Sequence, residues 1–140
     1  MGKRRKSKHP YHYVEPITSY YHTSTYKLEI KESRILDAGL GVFAGEEIQE
    51  HTLIDHYMGA YQMIPTSPYY FHIKDGVGID AGNYPRCYMG MINDSINSRF
   101  ENNCTFVIDQ TNNKVSVWSI KKIECGEELF ISYGDSYWNS

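Results

Sequence analysis

The amino-acid sequence predicts a single, mainly β domain. Its 140 residues are enough to bury a core without disulfide bonds or a bound metal. Short apolar segments alternate with turn sequences at intervals of about 8 to 12 residues, which is typical of all-β folds. Asp75-Gly76, a preferred hairpin connection, lies between two such segments. No long amphipathic helical pattern interrupts this arrangement.

The predicted strands follow from the alternation of apolar and polar residues and from the turns between them. Residues 26–30 alternate as a half-buried strand does, and a glycine-broken turn at residues 37–41 leads into the next strand. A turn around Asn112 and Asn113 separates the two strands of a second hairpin. The other predicted strands are Thr52–Tyr57, Tyr69–Ile73, Val77–Ile79, Thr105–Ile108, Lys114–Ile120 and Leu129–Tyr133.

Charge is distributed unevenly along the chain. The first nine positions hold no acid and five basic residues, namely Lys3, Arg4, Arg5, Lys6 and Lys8. The remainder has nine basic and seventeen acidic residues, a net charge of −8 against −3 for the whole chain. An acidic body favours a cationic partner such as a Lys/Arg-rich peptide and disfavours nucleic acid, although the charge can equally serve solubility alone. We treat residues 1–25 as a basic, irregular N-terminal arm whose basic run resembles a nuclear-localisation or nucleic-acid-binding motif.

The cysteines and the hydropathy pattern predict an intracellular protein. Cys87, Cys104 and Cys125 form no Cys-x-x-Cys pair, which favours free thiols in a reducing compartment and argues against a metal site. No segment approaches the roughly eighteen apolar residues that a membrane span requires. The basic N-terminus is not followed by the apolar run of a secretory signal. We therefore expect neither a metal nor a membrane partner.

Three separated segments carry residues of chemical interest. They are Gly39-Leu40-Gly41, Ile92-Asn93-Asp94-Ser95 and the run from Gly126 to Trp138. Each has a simpler interpretation, because glycines make turns, Asx and Ser side chains cap their own backbone, and a hairpin can end in an aromatic cluster. Those interpretations do not explain the order and spacing of the three segments together.

In that order, the segments resemble the motifs of SET domains. Gly39-Leu40-Gly41-Val42-Phe43 is similar to the opening Gly-x-Gly-x-Phe of the family. Ile79-Asp80-Ala81 and the later Ile92-Asn93-Asp94-Ser95 are similar to its Asp-Ala and Asn-His-Ser. The run from Gly126 to Gly134 resembles its closing Gly-Glu-Glu-Leu-x-x-x-Tyr-Gly. The likeness spans residues 26–138, and the closing run is most similar to the very short SET methyltransferases of large DNA viruses.

The resemblance implies transfer of a methyl group from S-adenosylmethionine to a lysine ε-amine. It also implies a SET-domain fold, in which several small sheets surround a threaded C-terminal segment, a pseudoknot that periodicity alone cannot predict. The SET domain would comprise residues 26–140 and lack the cysteine-rich post-SET tail that binds zinc in many relatives. The implied partner is a lysine-containing protein or peptide, and no metal is required.

The resemblance assigns roles to individual positions. Tyr133 matches the catalytic tyrosine, and Tyr57, the second catalytic candidate, matches a tyrosine that borders the lysine channel. Ile131 is the third expected channel residue, at a position that often tunes how many methyl groups are added. The expected cofactor-binding residues are Ala38, Gly39, Leu40, Gly41, Tyr69, Asn93, Asp94 and Trp138.

Two positions depart from the family's pattern. Asp94 stands where histidine is usual. The change is tolerable if this position acts through its backbone, and it weakens cofactor binding if the imidazole matters. Gly90 stands where arginine is usual, which removes a buried anchor. The segment between Tyr57 and Tyr69, which helps to form the substrate groove, is also short.

Three functions are consistent with this sequence. The first is a methyltransferase for histone tails, which fits the acidic body and a nuclear location, in a host cell if the protein is viral. The second is a methyltransferase for a non-histone protein. The third is a catalytically degenerate SET fold that serves as a binding module. The target lysine, the number of methyl groups and the oligomeric state, a homodimer included, stay open.

Overall fold

The computed structural model describes residues 19–134 and residue 137. The elements that lie wholly within these residues are ten short strands and one 3-10 helix, Tyr88–Met91. The strands are β1 (Tyr20–Tyr21), β2 (Leu28–Glu32), β3 (Leu40–Ala44), β4 (Leu53–His56), β5 (Ala60–Gln62), β6 (Tyr70–Lys74), β7 (Val77–Asp80), β8 (Arg86–Cys87), β9 (Cys104–Asp109) and β10 (Lys114–Ser119).

The strands form four small sheets. Two are three-stranded and antiparallel, in the orders β4-β10-β9 and β5-β7-β6. The other two are the antiparallel pair β2-β3 and the short parallel pair β1-β8. The mainly β class is therefore confirmed. Both predicted hairpins form, and Gly76 and Asn113 in their turns have positive φ angles of 81° and 54°.

The closing segment differs from its prediction. A strand over Leu129–Tyr133 was expected, but this part of the chain makes single bridges to three different partners. The bridges are Phe43–Glu128, Asn93–Phe130 and Cys104–Ile131. Because these partners come from three separate parts of the chain, the segment cannot join one continuous ladder. It is instead enclosed between them, which is the threaded C-terminal segment of the predicted fold.

The strand predicted at Tyr26–Ile30 begins two residues later, as β2. The Tyr26 N–H donates to Ser24 Oγ at 3.1 Å, and the Lys27 N–H donates to the Glu46 carboxylate at 2.8 Å. These side-chain acceptors hold the chain in a turn, so the ladder with β3 starts only at Leu28.

The end of the predicted arm packs against the body. Residues 1–18 lie outside the described part of the chain, but β1 pairs with β8. The Asp55 carboxylate accepts hydrogen bonds from the Thr23 N–H at 2.8 Å and from the Thr23 hydroxyl at 2.6 Å. The arm's boundary at residue 25 stays a prediction.

The main core joins all four sheets. Its fully buried side chains include Val42, Ile48, Met89, Met91, Val117 and Leu129. Met89 and Met91 belong to the 3-10 helix, so residues 92–94, which follow it directly, are placed inside the molecule. In residues 19–134 and 137, no helix has the length and apolar character needed to cross a membrane.

Candidate functional site

An aromatic cleft of about 440 Å³ opens beside β6 and β9. Tyr57 and Tyr133, which are distant in sequence, both line it. The lining comprises Tyr57, Met63, Pro65, Pro68, Tyr70, Phe71, His72, Phe106, Ile108, Tyr133 and Tyr137. It is mostly apolar, and no Lys, Arg, Asp or Glu side chain lies among these described residues.

Ring contacts fix the walls of the cleft. Phe71 of β6 and Phe106 of β9 meet edge-to-face with their centroids 4.7 Å apart, and Tyr57 lies 5.5 Å from Phe71. Tyr133 and Tyr137 meet edge-to-face at 4.9 Å. Such contacts stabilise one arrangement of the rings beyond the area they bury. The cleft is therefore formed by rings that are already packed.

The segment at residues 92–94 holds Tyr133 at both ends. The Tyr133 N–H donates to Asp94 Oδ2 at 2.9 Å, and the Tyr133 hydroxyl donates to the Ile92 carbonyl at 2.6 Å. Two residues earlier, the Ile131 N–H donates to the Asn93 carbonyl at 3.0 Å. Each of the residues 92, 93 and 94 therefore accepts a hydrogen bond from the closing segment.

Asn93 connects this segment to the turn before β3. Its side chain is buried, and its amide donates to the Leu40 carbonyl at 3.1 Å. A Cβ at Gly41 would overlap the Glu128 carboxylate and lie 3.1 Å from the Asn93 amide nitrogen. A side chain at position 41 would therefore displace the buried Glu128 carboxylate, and Gly39 has the positive φ of 75° that the turn needs.

Glu128 is a site residue that the sequence interpretation did not single out. Its carboxylate is 2% exposed and accepts hydrogen bonds from the Ser33 hydroxyl at 2.7 Å and the Arg34 N–H at 2.8 Å. The Asn93 amide lies 3.5 Å from the same carboxylate. The available signal was the second glutamate of Gly-Glu-Glu-Leu, but nothing in the sequence shows that it points inward.

Tyr57 depends on Tyr69 and, through it, on Arg86. The Tyr57 hydroxyl donates to the Tyr69 carbonyl. The Arg86 guanidinium lies 3.8 Å from the centroid of the Tyr69 ring and 4.4 Å from that of Tyr84, and its Nε donates to the Ala81 carbonyl at 3.0 Å. Cation–π contacts of this kind are strongest when the cation is desolvated, as the buried Arg86 is.

Arg86 also bears on the missing arginine at position 90. A Cβ at Gly90 would lie 3.8 Å from Arg86 Cγ and 3.4 Å from the Ala81 Cβ, so Arg86 packs directly beside Gly90. A buried guanidinium is therefore present next to this position, although β8 supplies it rather than the 3-10 helix. The sequence could not show this, because only the packing of the folded chain places the Arg86 side chain beside Gly90.

Asp80, from the Asp-Ala motif, orders another part of the cleft wall. Burial alone would raise the pKa of this carboxyl, but hydrogen bonds from the Ser67 and Thr66 hydroxyls, each at 2.6 Å, and from the Gly82 N–H outweigh it and lower the pKa. Thr66 and Ser67 lie between two prolines that line the cleft. The ionised carboxylate thus fixes the short segment after β5.

Apart from Gly39 and Gly41 in the turn before β3, the predicted site residues in the described part of the chain fall into three groups. Tyr57 and Tyr133 share the cleft, and Leu40, Asn93 and Asp94 belong to the network behind Tyr133. Ala38, Tyr69 and Ile131 are buried, and none of them lines the cleft. Trp138 lies outside the described residues. Within the described residues, no three His, Cys, Asp or Glu side chains are grouped so as to hold a metal ion.

The chain belongs to the SET-domain family, whose model matches residues 39–134. One relative, the histone-lysine N-methyltransferase set-17 of Caenorhabditis elegans, is 33% identical over 126 residues. The match covers 79% of this chain and 42% of the relative, so the chain spans less than half of that protein's length.

A solved structure supports the fold. The structure of ctPRC2 in complex with H3K27me3 and H3K27M matches 80% of this chain and 15% of its own, with a TM-score of 0.66 and 23% sequence identity. At this identity, the likeness concerns the fold alone. The predicted SET fold is confirmed, whereas the likeness to viral SET methyltransferases stays a prediction.

Proposed function

We propose that the chain is an S-adenosylmethionine-dependent protein lysine N-methyltransferase that acts on histone tails. The observation that carries the proposal is the shared cleft, because Tyr57 and Tyr133 line one apolar, aromatic space. In addition, the Tyr133 N–H donates a hydrogen bond to Asp94. Membership of the SET family supports the reaction class. The histone-lysine N-methyltransferase relative supports a histone substrate and a nuclear location.

The cleft suits a lysine side chain that must lose its proton. A free lysine has a pKa of about 10.4, and only the neutral amine can attack a methyl group. A largely apolar cleft whose described lining carries no acid disfavours the ammonium form by desolvation. The aromatic walls can at the same time pack along the aliphatic part of the lysine.

Tyr133 acts by orienting the amine. Its hydroxyl proton is directed to the Ile92 carbonyl, so its oxygen presents lone pairs that can accept an amine N–H. The Tyr57 hydroxyl donates to the Tyr69 carbonyl and presents its oxygen in the same way. Two acceptors in fixed positions can aim the nitrogen lone pair, which is catalysis by positioning. No general base is needed if the proton leaves to solvent before transfer.

The residues behind Tyr133 fit the proposed cofactor. The turn at residues 38–41 contains two glycines, which allow a ligand to approach the backbone closely, and the Asn93 amide is held in place by the Leu40 carbonyl. When bound, S-adenosylmethionine supplies a methyl group activated on a sulfonium, whose positive charge further disfavours an ammonium nearby. The residues that would hold it are Ala38, Gly39, Leu40, Gly41, Tyr69, Asn93, Asp94 and Trp138.

Methyl transfer to core histones, detected by mass spectrometry, tests the proposal. We expect a mass increase of histone peptides that is lost in Tyr133→Phe. Labelling of a whole-cell extract, with label in a different protein, would instead favour a non-histone substrate. Absence of transfer to every protein would contradict the proposed activity.

Cofactor binding separates an enzyme from a binding module. A ligand at a hundred times its Kd adds about 2.7 kcal/mol to the free energy of unfolding. We therefore expect S-adenosylmethionine, or its demethylated product, to raise the melting temperature. An unchanged melting temperature would favour the degenerate SET fold.

A further inference from the structure

The carboxylate of Asp94 makes contacts that explain an acid at this position. Asp94 is 3% exposed, and its two oxygens accept hydrogen bonds from two different backbone donors. Oδ2 accepts from the Tyr133 N–H at 2.9 Å, and Oδ1 accepts from the Ile96 N–H at 3.0 Å. The side chain therefore links its own loop to the closing segment.

The hydrogen bond from the Tyr133 N–H to Asp94 holds the backbone of Tyr133, from which the direction of its side chain follows. The hydroxyl end of Tyr133 is held by the Ile92 carbonyl, and the backbone end is held by Asp94. Gly134, the next residue, has a φ of 89°, so the chain turns immediately after Tyr133.

Only a carboxylate can serve both donors. Asn offers one acceptor oxygen and one NH₂ group, so it would set a donor against either the Tyr133 or the Ile96 N–H. A neutral histidine offers a single acceptor nitrogen. Hydrogen bonds from N–H groups to a charged acceptor are also roughly twice as strong as those between neutral groups. The acid at position 94 is thus matched to its surroundings in this chain.

We infer that Asp94 is a positioning residue, whose carboxylate orients Tyr133 toward the cleft while any cofactor contact at this position is made by its backbone. The effect on rate rests on the proposed function. The hydrogen bond itself can be tested without any activity.

The first test compares Asp94→Asn with Asp55→Asn. Asp55 is a matched control, because it is also 3% exposed and its carboxylate accepts backbone N–H bonds at 2.8 Å, from Thr23 and His56. In Asp94→Asn we expect kcat to fall about tenfold or more, with the Kd of S-adenosylmethionine changed by less than about twofold. In Asp55→Asn both constants should stay within about twofold of the wild type, even where the melting temperature falls.

Two outcomes would overturn the inference. One is an unchanged kcat in Asp94→Asn. The other is a loss of cofactor affinity in proportion to the loss of rate, which would assign the side chain to the cofactor.

A second measurement uses the wild-type chain. A scalar coupling across the hydrogen bond, between the Tyr133 amide nitrogen and the Asp94 carboxylate carbon, should be detectable by NMR, and the Tyr133 amide proton should exchange slowly with solvent. Absence of the coupling together with fast exchange would contradict the bond, even if Asp94→Asn fails to fold. A wild type without methyltransferase activity but with the coupling would contradict the proposed function and leave the Asp94–Tyr133 contact established.

Discussion

At the scale of single residues, the Glu128 carboxylate joins three parts of the chain around the proposed cofactor site. It accepts bonds from the turn after β2, through Ser33 and Arg34, and lies close to the Asn93 amide and to Gly41. Hydrogen bonds rather than an ion pair hold it within the described residues. A buried carboxylate without these donors would be strongly destabilising. We therefore expect the Glu128 carboxylate to hold Ser33 and Arg34 in the positions from which they donate.

We predict that Glu128→Gln lowers the free energy of unfolding by about 1 to 3 kcal/mol, because glutamine keeps one acceptor oxygen and its NH₂ group must face either the Ser33 hydroxyl or the Arg34 N–H. Urea denaturation followed by circular dichroism measures this loss. Glu127→Gln is the control, since the side chain of Glu127 is exposed and accepts a local hydrogen bond from the Glu124 N–H. Equal losses in the two variants would show that Glu128 does not organise the site.

Sequence alone could identify the tyrosines but not the groups that hold them. Tyr133 and Tyr57 stand in motifs that resemble family motifs, so their positions could be matched without a structure. Glu128 is 95 positions from Ser33, and Arg86 reaches Tyr69 from a separate strand. Whether such charged side chains point inward depends on partners that only the folded chain brings together.

At the scale of elements, hydrogen bonds join the β6–β7 hairpin to the β9–β10 hairpin beside the cleft. The Gln110 side chain donates to the Ile73 carbonyl at 3.1 Å, and Lys74 Nζ donates to the Gln110 carbonyl at 2.7 Å. These bonds join the turn of the β9–β10 hairpin to β6. Phe71 on β6 and Phe106 on β9 are in contact and both line the cleft, so these bonds hold together two elements that form its wall.

We predict that Gln110→Ala weakens the connection between the two hairpins, because it removes the hydrogen bond to the Ile73 carbonyl. The free energy of unfolding should fall by about 0.5 to 1.5 kcal/mol for the lost hydrogen bond. The KM for a peptide substrate should rise about two- to fivefold with the Kd of S-adenosylmethionine unchanged, because the cofactor residues lie on other elements. Steady-state kinetics and calorimetric titration measure these constants.

Thr111→Ala is the control for this prediction. It changes the same turn, but its bond in the described structure is made by the backbone N–H, to Asp109. A KM that rises equally in both variants, or in neither, would contradict a role for the Gln110–Ile73 hydrogen bond in substrate binding.

Elements whose geometry is local were predictable, and those that depend on distant partners were not. The hairpin around Gly76 followed from Asp-Gly between two apolar runs. The strand predicted over Leu129–Tyr133 was wrong, because this part of the chain makes single bridges to three separate segments rather than one ladder. β5 was not predicted, since all three of its residues are exposed and leave no apolar pattern.

At the scale of the whole molecule, the charge separates into a basic tail and an acidic body. Residues 3–8 carry five positive charges, and the remaining chain has a net charge of −8. An acidic body raises the local concentration of a cationic peptide through long-range attraction. This attraction is screened by salt over a Debye length of about 8 to 10 Å near physiological ionic strength.

We predict that kcat/KM for a Lys/Arg-rich peptide falls about threefold or more between about 50 and 300 mM NaCl, since screening weakens the attraction. Initial rates at subsaturating peptide measure the effect. A peptide with the same target lysine and with glutamine in place of each flanking basic residue is the control, and should respond weakly. Rates that are independent of salt for both peptides would contradict electrostatic attraction of the substrate.

The threading of the closing segment is the property of the whole chain that residue patterns could least predict. Residues 128–131 have their bridge partners at Phe43, Asn93 and Cys104, which lie in three separate parts of the chain. Periodicity reports which residues are buried and not which segment passes between which others. The resemblance to SET domains supplied this topology, and the enclosed position of the closing segment agrees with it.

The most direct test of the proposed function is methyl transfer to core histones by the wild type and by Tyr133→Phe, with the products identified by mass spectrometry. We expect methylated lysine with the wild type and a rate about 10²-fold lower with the variant, because one preorganised hydrogen-bonding group is lost from the cleft. Thermal unfolding of both proteins shows whether the variant is folded. Equal rates for the two folded proteins, or no transfer by the wild type to any protein, would contradict a catalytic Tyr133.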